Sequence, residues 1–314
     1  MIKKLIPAAV LLSLFGAAQA EVSIYGLVDV SYGKNEIGFP EQTNATFHSG
    51  GDDSSSQGNS ATKVGLKGST EVSKGIKANF KLESNGIASD GSISGAFFNR
   101  AAWAGLSGNF GEVRLGRQDS VPFQTMIDFD FNGAANAASA QGNAGVATWG
   151  PSRQSRSLQY IAPAMGAVSI QAGFVPQAAD PVATPNTKAV YSIGLKYSAG
   201  KLALAYAGQT ADTNAGASFS SVAGSYDFGV AKVMVGYADA GTGAKGSTVG
   251  VVAPVAGFNV GLNYSKNSDT TAVATEFFVN REVFKNTTAY FDFGNKDLNS
   301  VKTNAYALGV IYAF

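Results

Sequence analysis

Arg114 and Arg117 stand just before residue 119, Arg153 and Arg156 just after residue 150, and the stretch between carries only three charges, Asp119, Asp128 and Asp130. Two chemistries suit cations that bracket carboxylates in this way. Paired, each guanidinium can grip a carboxylate through two parallel hydrogen bonds and pin the segment in place. Left apart across a narrow gap, the same groups make a fixed field that acts on passing solutes. Both readings are open from the residues alone. The segment is roughly thirty residues long, rich in Ala, Gly, Asn and Phe and without a sustained period; unpatterned inserts of that length in compact folds are functional or disordered.

Other chemistry is thinly provided. The chain has no cysteine, which removes disulfides, thiol nucleophiles and thiolate metal sites. Its single histidine, His48, sits in a stretch of Ser, Thr, Asn, Gly and Asp and reads as a solvated loop residue. No catalytic residues, no metal site and no cofactor are therefore expected, and the protein is read as no enzyme. Residues 241–246, Gly-Thr-Gly-Ala-Lys-Gly, match the spacing of a dinucleotide-binding turn. With no strand–turn–helix context around them, the match is chance.

The elements that position these groups are legible in the patterning. Residues 1–20 read as a secretory signal: Lys3 and Lys4, an apolar run over 5–15, and the small-x-small site Ala18-Gln-Ala20. The mature chain is then 21–314. Without Lys3 and Lys4, 21 basic residues remain against 22 acidic, a balance that gives nucleic-acid binding no basic field to work with. No mature segment has the 18 or so consecutive apolar residues of a spanning helix. Phe, Tyr and Gly are plentiful and charge is sparse. An exported chain of this kind suits a barrel that is apolar outside and wet inside.

Strict alternation supports that choice. Val22, Ile24, Val28, Val30 and Tyr32 share one face and Ser23, Asp29 and Ser31 the other. Residues 62–68 and 76–83 repeat the pattern, with Lys63 and Glu83 on polar faces. The alternation continues through strands expected at 98–106, 112–118, 156–162, 168–174, 190–197, 202–209, 219–228, 230–237, 247–253, 258–265, 275–281, 287–293 and 303–314. The connections alternate in length. Long ones fall near 33–60, 84–96, 119–151, 176–188, 210–217, 239–246, 266–271 and 294–302; the seven between them are short. That asymmetry, with an even strand number, predicts an all-β transmembrane antiparallel barrel of sixteen strands. Tyr32, Tyr197, Phe228, Tyr237, Tyr264 and Tyr312, near strand ends, are its expected interfacial girdles. A soluble sandwich also alternates, and sequence alone does not separate the two.

The segments Val22-Ser-Ile-Tyr-Gly-Leu-Val-Asp29, Thr62-Lys-Val-Gly-Leu-Lys-Gly68, Gly75-Ile-Lys-Ala-Asn-Phe-Lys-Leu-Glu83, Phe98-Asn-Arg-Ala-Ala-Trp-Ala-Gly-Leu-Ser-Gly-Asn-Phe-Gly111, Val113-Arg-Leu-Gly-Arg-Gln118 and the terminal Phe314 carry a resemblance. Together they resemble general-diffusion porins of the neisserial and beta-proteobacterial type, over essentially the whole mature length. The resemblance implies a homotrimer in the outer membrane of a Gram-negative cell, in contact with lipid and lipopolysaccharide. It implies a third loop folded inward and passive diffusion of small hydrophilic solutes and ions. Lys63, Glu83 and Arg100 match the family's constriction positions.

The chain departs from the family pattern at Lys63, where Arg is usual, and at 156–160, where Arg-Ser-Leu-Gln-Tyr replaces Asn-Ser-Val-Arg-Tyr. Those departures put charge selectivity in question. The constriction expected here sets a basic ladder of Lys63, Arg100, Arg114, Arg153 and Arg156 against Glu83 and the loop acids Asp119, Asp128 and Asp130, with a modest anion preference. Arg117, in phase with Val113 and Leu115, needs a bulge or a position beyond the lipid. A surface-exposed β-rich adhesin or ligand-binding outer-membrane protein is the alternative.

Overall fold

The computed structural model describes residues 21–52, 58–93, 95–177, 188–213 and 216–314; the expected signal segment, 1–20, lies outside them. Each expected strand has its counterpart. The first six strands are β1 (Glu21–Asn35), β2 (Thr46–Ser49), β3 (Lys63–Ser73), β4 (Ile76–Asn85), β5 (Ala101–Gly108) and β6 (Gly111–Asp119). After them come α1 (Val121–Met126), a 3-10 turn (Ile127–Phe129) and α2 (Ala140–Ala144). Then follow β7 (Arg153–Ile161), β8 (Val168–Val175), β9 (Val190–Ala199), β10 (Leu202–Gln209), β11 (Phe219–Asp227) and β12 (Lys232–Asp239). The last are β13 (Lys245–Val255), β14 (Phe258–Asn267), β15 (Val273–Phe284), β16 (Thr287–Leu298) and β17 (Val301–Ala313).

Neighbours in sequence pair antiparallel, and β1 closes the ring. One edge of β1 takes β17, from Leu27↔Ala313 to Asn35↔Ala305. Its other edge takes β3 below, from Glu21↔Ser69 to Leu27↔Lys63, and the short β2 above, from Val30↔Ser49 to Gly33↔Thr46. Because β2 and β3 share one position, the wall is a closed sixteen-stranded barrel. The last residue finishes the seam: Gly26 N donates to Phe314 O at 3.0 Å and Phe314 N to Gly26 O at 3.1 Å. A side chain at residue 26 would come 2.7 Å from the Phe314 ring, so Gly26 is what lets the chain end seat there. Among the described residues, every wall strand has a hydrogen-bonded neighbour on each side.

Burial separates a membrane barrel from a soluble sandwich. Ile24, Leu115 and Leu308 are 69%, 61% and 61% exposed, whereas Asp29 and Ser265 are fully buried. Apolar side chains face out and polar ones in, the inverse of a protein folded in water. The girdle aromatics Tyr32, Tyr197, Phe228, Tyr237, Tyr264 and Tyr312 are all on the exposed face.

Two expectations about connections change. Residues 294–302 form no long loop; β16 and β17 stay paired to Leu298↔Val301 and turn through Asn299 and Ser300, both with left-handed backbones (φ 54° and 67°). Beyond the lipid the outer face no longer needs apolar residues, so pairing outlasts the alternation that revealed it. Within 33–60, the unforeseen β2 buries His48 beside Gln42, which corrects the solvated-loop reading of that histidine.

Candidate pore constriction

The segment between β6 and β7 packs against lumen-facing residues of the far wall. Ser120 caps α1 by accepting from Phe123 N at 3.0 Å, and Pro122 sits in the first turn, where its missing N–H costs nothing. The helix rests on β8, β9 and β10. Room for it comes from absent side chains: a Cβ at Gly194 would lie 2.0 Å from Thr125 Oγ1, and one at Gly173 3.0 Å from Val121. Met126, Phe129 and Trp149 fill in against Ala205, Ala207, Ala223 and Ala238. Further on, α2 lies on β14, β15 and β16. Ser139 caps its start, accepting from Gly142 N at 3.2 Å, and Gly145 (φ 71°) ends it.

Carboxylates and amides of the wall satisfy the loop's polar groups. Asn132 Nδ2 donates to Glu276 Oε1 at 2.8 Å and Asp292 Oδ1 at 3.0 Å. Ala140 N donates to Glu276 Oε2 at 3.1 Å, and Asn267 Nδ2 to Ala144 O at 3.0 Å. Asn59, from the first long connection, donates to both Asn132 Oδ1 and Asp292 Oδ2 at 2.9 Å. Its backbone N and that of Ser60 donate to Asp29 Oδ2 at 2.9 and 2.6 Å, and Tyr290 Oη donates to Asp29 Oδ1 at 2.6 Å. Each oxygen of Asp29, Glu276 and Asp292 is thereby met by a hydrogen-bond donor.

Opposite, β3 to β7 present the basic groups. Lys63, Arg100, Arg117 and Arg153 line one cavity of about 1380 Å³ together, among the described residues, with a single acid, Asp119. Arg117 reaches it through an irregularity in the wall: the β6–β7 register slips between Gly116 and Gln118, with left-handed φ at Gly116 (133°) and Arg156 (55°). It donates to Asn99 O and, at 2.7 Å, to Ser155 Oγ. Of the two alternatives that its phase left open, a bulge or a position beyond the lipid, the wall has the bulge.

The acids are not where a facing row would put them. Asp119 lies at the end of β6, on the basic wall itself, 2.8 Å from Arg153. Asp128 turns away to pair with Lys196 of β9. Asp130 is buried behind the loop, where burial and then the Glu276 carboxylate push its carboxyl well above the usual range. Glu83 is buried within the ladder, pairing with Arg100 and Lys81 (3.2 Å) and accepting from Tyr25 Oη at 2.6 Å. The loop residues that do face the cavity, Asn132, Gly133, Ala134 and Ala135, are uncharged.

Two basic expectations are also corrected. Arg114 bonds Glu112 at 2.6 Å and stacks on Trp103, nearer the short-turn end and away from that cavity. Arg156, exposed at the bulge, does not line it either among the described residues. Gln159, where the family pattern has Arg, is committed to the loop: its Nε2 donates to Asp119 O at 2.8 Å and its Oε1 accepts from Gln124 at 2.8 Å. Glu276 and Asp292 were not singled out from sequence. Their signal was available as two carboxylates in the inward phase of consecutive strands, with no basic residue opposite either.

Similarity follows the same outline. A family model described as Gram-negative porin matches residues 8–314. Outer membrane porin protein 32 of Delftia acidovorans is 31% identical over 255 residues, covering 74% of this chain and 68% of its own. An outer membrane porin protein of Bordetella pertussis is 30% identical over 292 residues, covering 81% and 74%. Among solved structures, the anion-selective porin from Comamonas acidovorans shares the fold with a TM-score of 0.76 at 22% identity, covering 94% of this chain and all of that one. This chain belongs to the Gram-negative porins, the outer-membrane channels through which small solutes and ions diffuse.

Proposed function

We propose that this channel prefers anions, and that its selectivity filter is the basic face of Lys63, Arg100, Arg117 and Arg153. The observation that carries the reading is their convergence on one cavity against Asp119 alone among the described residues, with an uncharged loop opposite. With Glu83 paired to Arg100, a net excess of about two positive charges is left for the solute to meet. Each contributes about 0.6 kcal/mol to a monovalent anion at roughly 7 Å in water. Two together favour an anion by on the order of tenfold, reduced to a few-fold by screening over a Debye length of about 8 Å. That a structurally similar porin is described as anion-selective supports the same reading.

The working assembly on this reading is a homotrimer, exported by a cleaved signal at 1–20, seated among lipid and lipopolysaccharide. Short turns face the periplasm and long loops the outside, as in barrels of this class. Transport is passive, with no catalytic step and no cofactor. The test is planar-bilayer recording of the purified protein under a salt gradient. Conductance in steps of three and an anion-shifted reversal potential are expected. A cation-shifted reversal would overturn the assignment of the filter to the basic face.

A further inference from the structure

Below the filter the wall holds a second pair of cations that the constriction does not use. Lys67 of β3 and Lys81 of β4 stand directly opposite each other, both in the inward phase. Like charges at opposed positions destabilise a strand pair. The same two strands avoid that elsewhere, setting Glu71 against Lys77 and Ser69 against Asn79. Both ammonium groups also approach one ring: Lys67 Nζ is 5.2 Å and Lys81 Nζ 5.6 Å from the centroid of Tyr25. Lys81 has Glu83 at 3.2 Å, whereas Lys67 is exposed to the lumen and, among the described residues, makes no ion pair.

Tyr25 divides this pair from the filter above. Its ring lies across Gly65, where a Cβ would come within 2.5 Å of it, and its hydroxyl reaches Glu83, the residue opposite Gly65. Lys63 is two residues to one side of Gly65 along β3 and Lys67 two residues to the other. At the rise of an extended strand, Lys63 and Lys67 are about 13 Å apart. Glu83, between them, neutralises part of Arg100 above and of Lys81 below, so that the positive field has two maxima separated by a saddle.

We propose that Lys67 and Lys81, over Tyr25, form a second anion-binding station on the short-turn side of the filter, suited to small oxyanions and carboxylates. The inference rests on the anion-preferring reading of the channel. Two stations hand an anion along in steps, each weak enough to release it, as conduction requires. Tyr25 and Glu83 are positioning residues that keep the stations apart.

The test uses the full-length protein in planar bilayers, with chloride carrying the current and inorganic sulfate added to one side as a competing dianion. Lys67→Gln and, separately, Lys81→Gln are expected to raise the half-blocking sulfate concentration from the short-turn side by roughly threefold to tenfold. Block from the long-loop side stays within about twofold, the sulfate there meeting Lys63 and Arg100 first. Lys67→Arg restores the wild-type asymmetry. Heat-modifiable migration on gels verifies that each variant is folded. An equal change from both sides, or none, overturns the second station while leaving the filter in place. A wild-type channel with cation-shifted reversal removes the filter and the station together.

Discussion

The two halves of the lumen follow the same alternation and use it in opposite ways. From β3 to β7 the inward positions carry long cations that stay in water, with their charges only partly neutralised. From β8 to β16 the loop is received by small inward residues, as at Gly194, Ala207 and Gly294, and by carboxylates buried under it, as at Glu276 and Asp292. The first half keeps side chains and forgoes packing; the second removes side chains to receive a packed segment. A constriction needs both. The loop narrows the path only because the far wall is hollowed for it, and the field survives only because the loop's acids are turned into that wall.

The hollowed wall is the more sensitive half. Gly194→Val places atoms on Thr125, where the gap is already closed. Overpacking of this kind costs about 1–3 kcal/mol, enough to compete with docking of a short helix. The expected result is a folded barrel with raised single-channel conductance and a third loop newly open to protease. Unchanged conductance with a protected loop would show that the glycine clearance does not hold the loop.

The charged half gives a smaller and more specific effect. Arg100→Ala removes one charge, about 0.6 kcal/mol at roughly 7 Å in water, and lowers the anion-to-cation permeability ratio about threefold. Arg114→Ala, losing a cation that lies away from the filter cavity, leaves the ratio nearly unchanged. Reversal potentials of the two variants decide it; equal shifts would sink the distinction between filter and wall.

The smallest expected effect lies where the halves meet the loop. Because the Asp130 carboxyl is raised in the folded state, its contribution is full below the ordinary carboxylate range and lost as pH rises through the raised value. Asp130→Asn removes that dependence. The variant should resist heat better than the wild type at neutral pH, with the gap closing as pH falls into the ordinary carboxylate range. A gap that does not narrow would assign the loss to packing rather than charge.

Much of this was written in the local pattern. Alternation such as Val28-Asp29-Val30-Ser31-Tyr32 identifies a two-faced strand wherever lipid lies on one side, and the loss of period after Asp119 marks the loop. Pattern failed where lipid ended: the polar run Asn295-Lys296-Asp297 hid five residues of β16, Gly294 to Leu298, that stay paired with β17. It also failed for function. Arg153 was recognisable as a charge beside the insert and Lys63 and Arg100 through the family resemblance, but the direction of Asp128 and Asp130 was not, since both could have faced the basic wall.

Strand phase, the closing Phe314 and the place of the insert follow from sequence because each depends on near neighbours and on which solvent a face meets. Where the loop's charges point is decided by partners distant along the chain. Lys196 draws Asp128, Glu276 and Asp292 receive Asn132, and missing side chains at Gly173 and Gly194 admit α1. Those groups meet only once the barrel closes and brings opposite walls within reach of one loop.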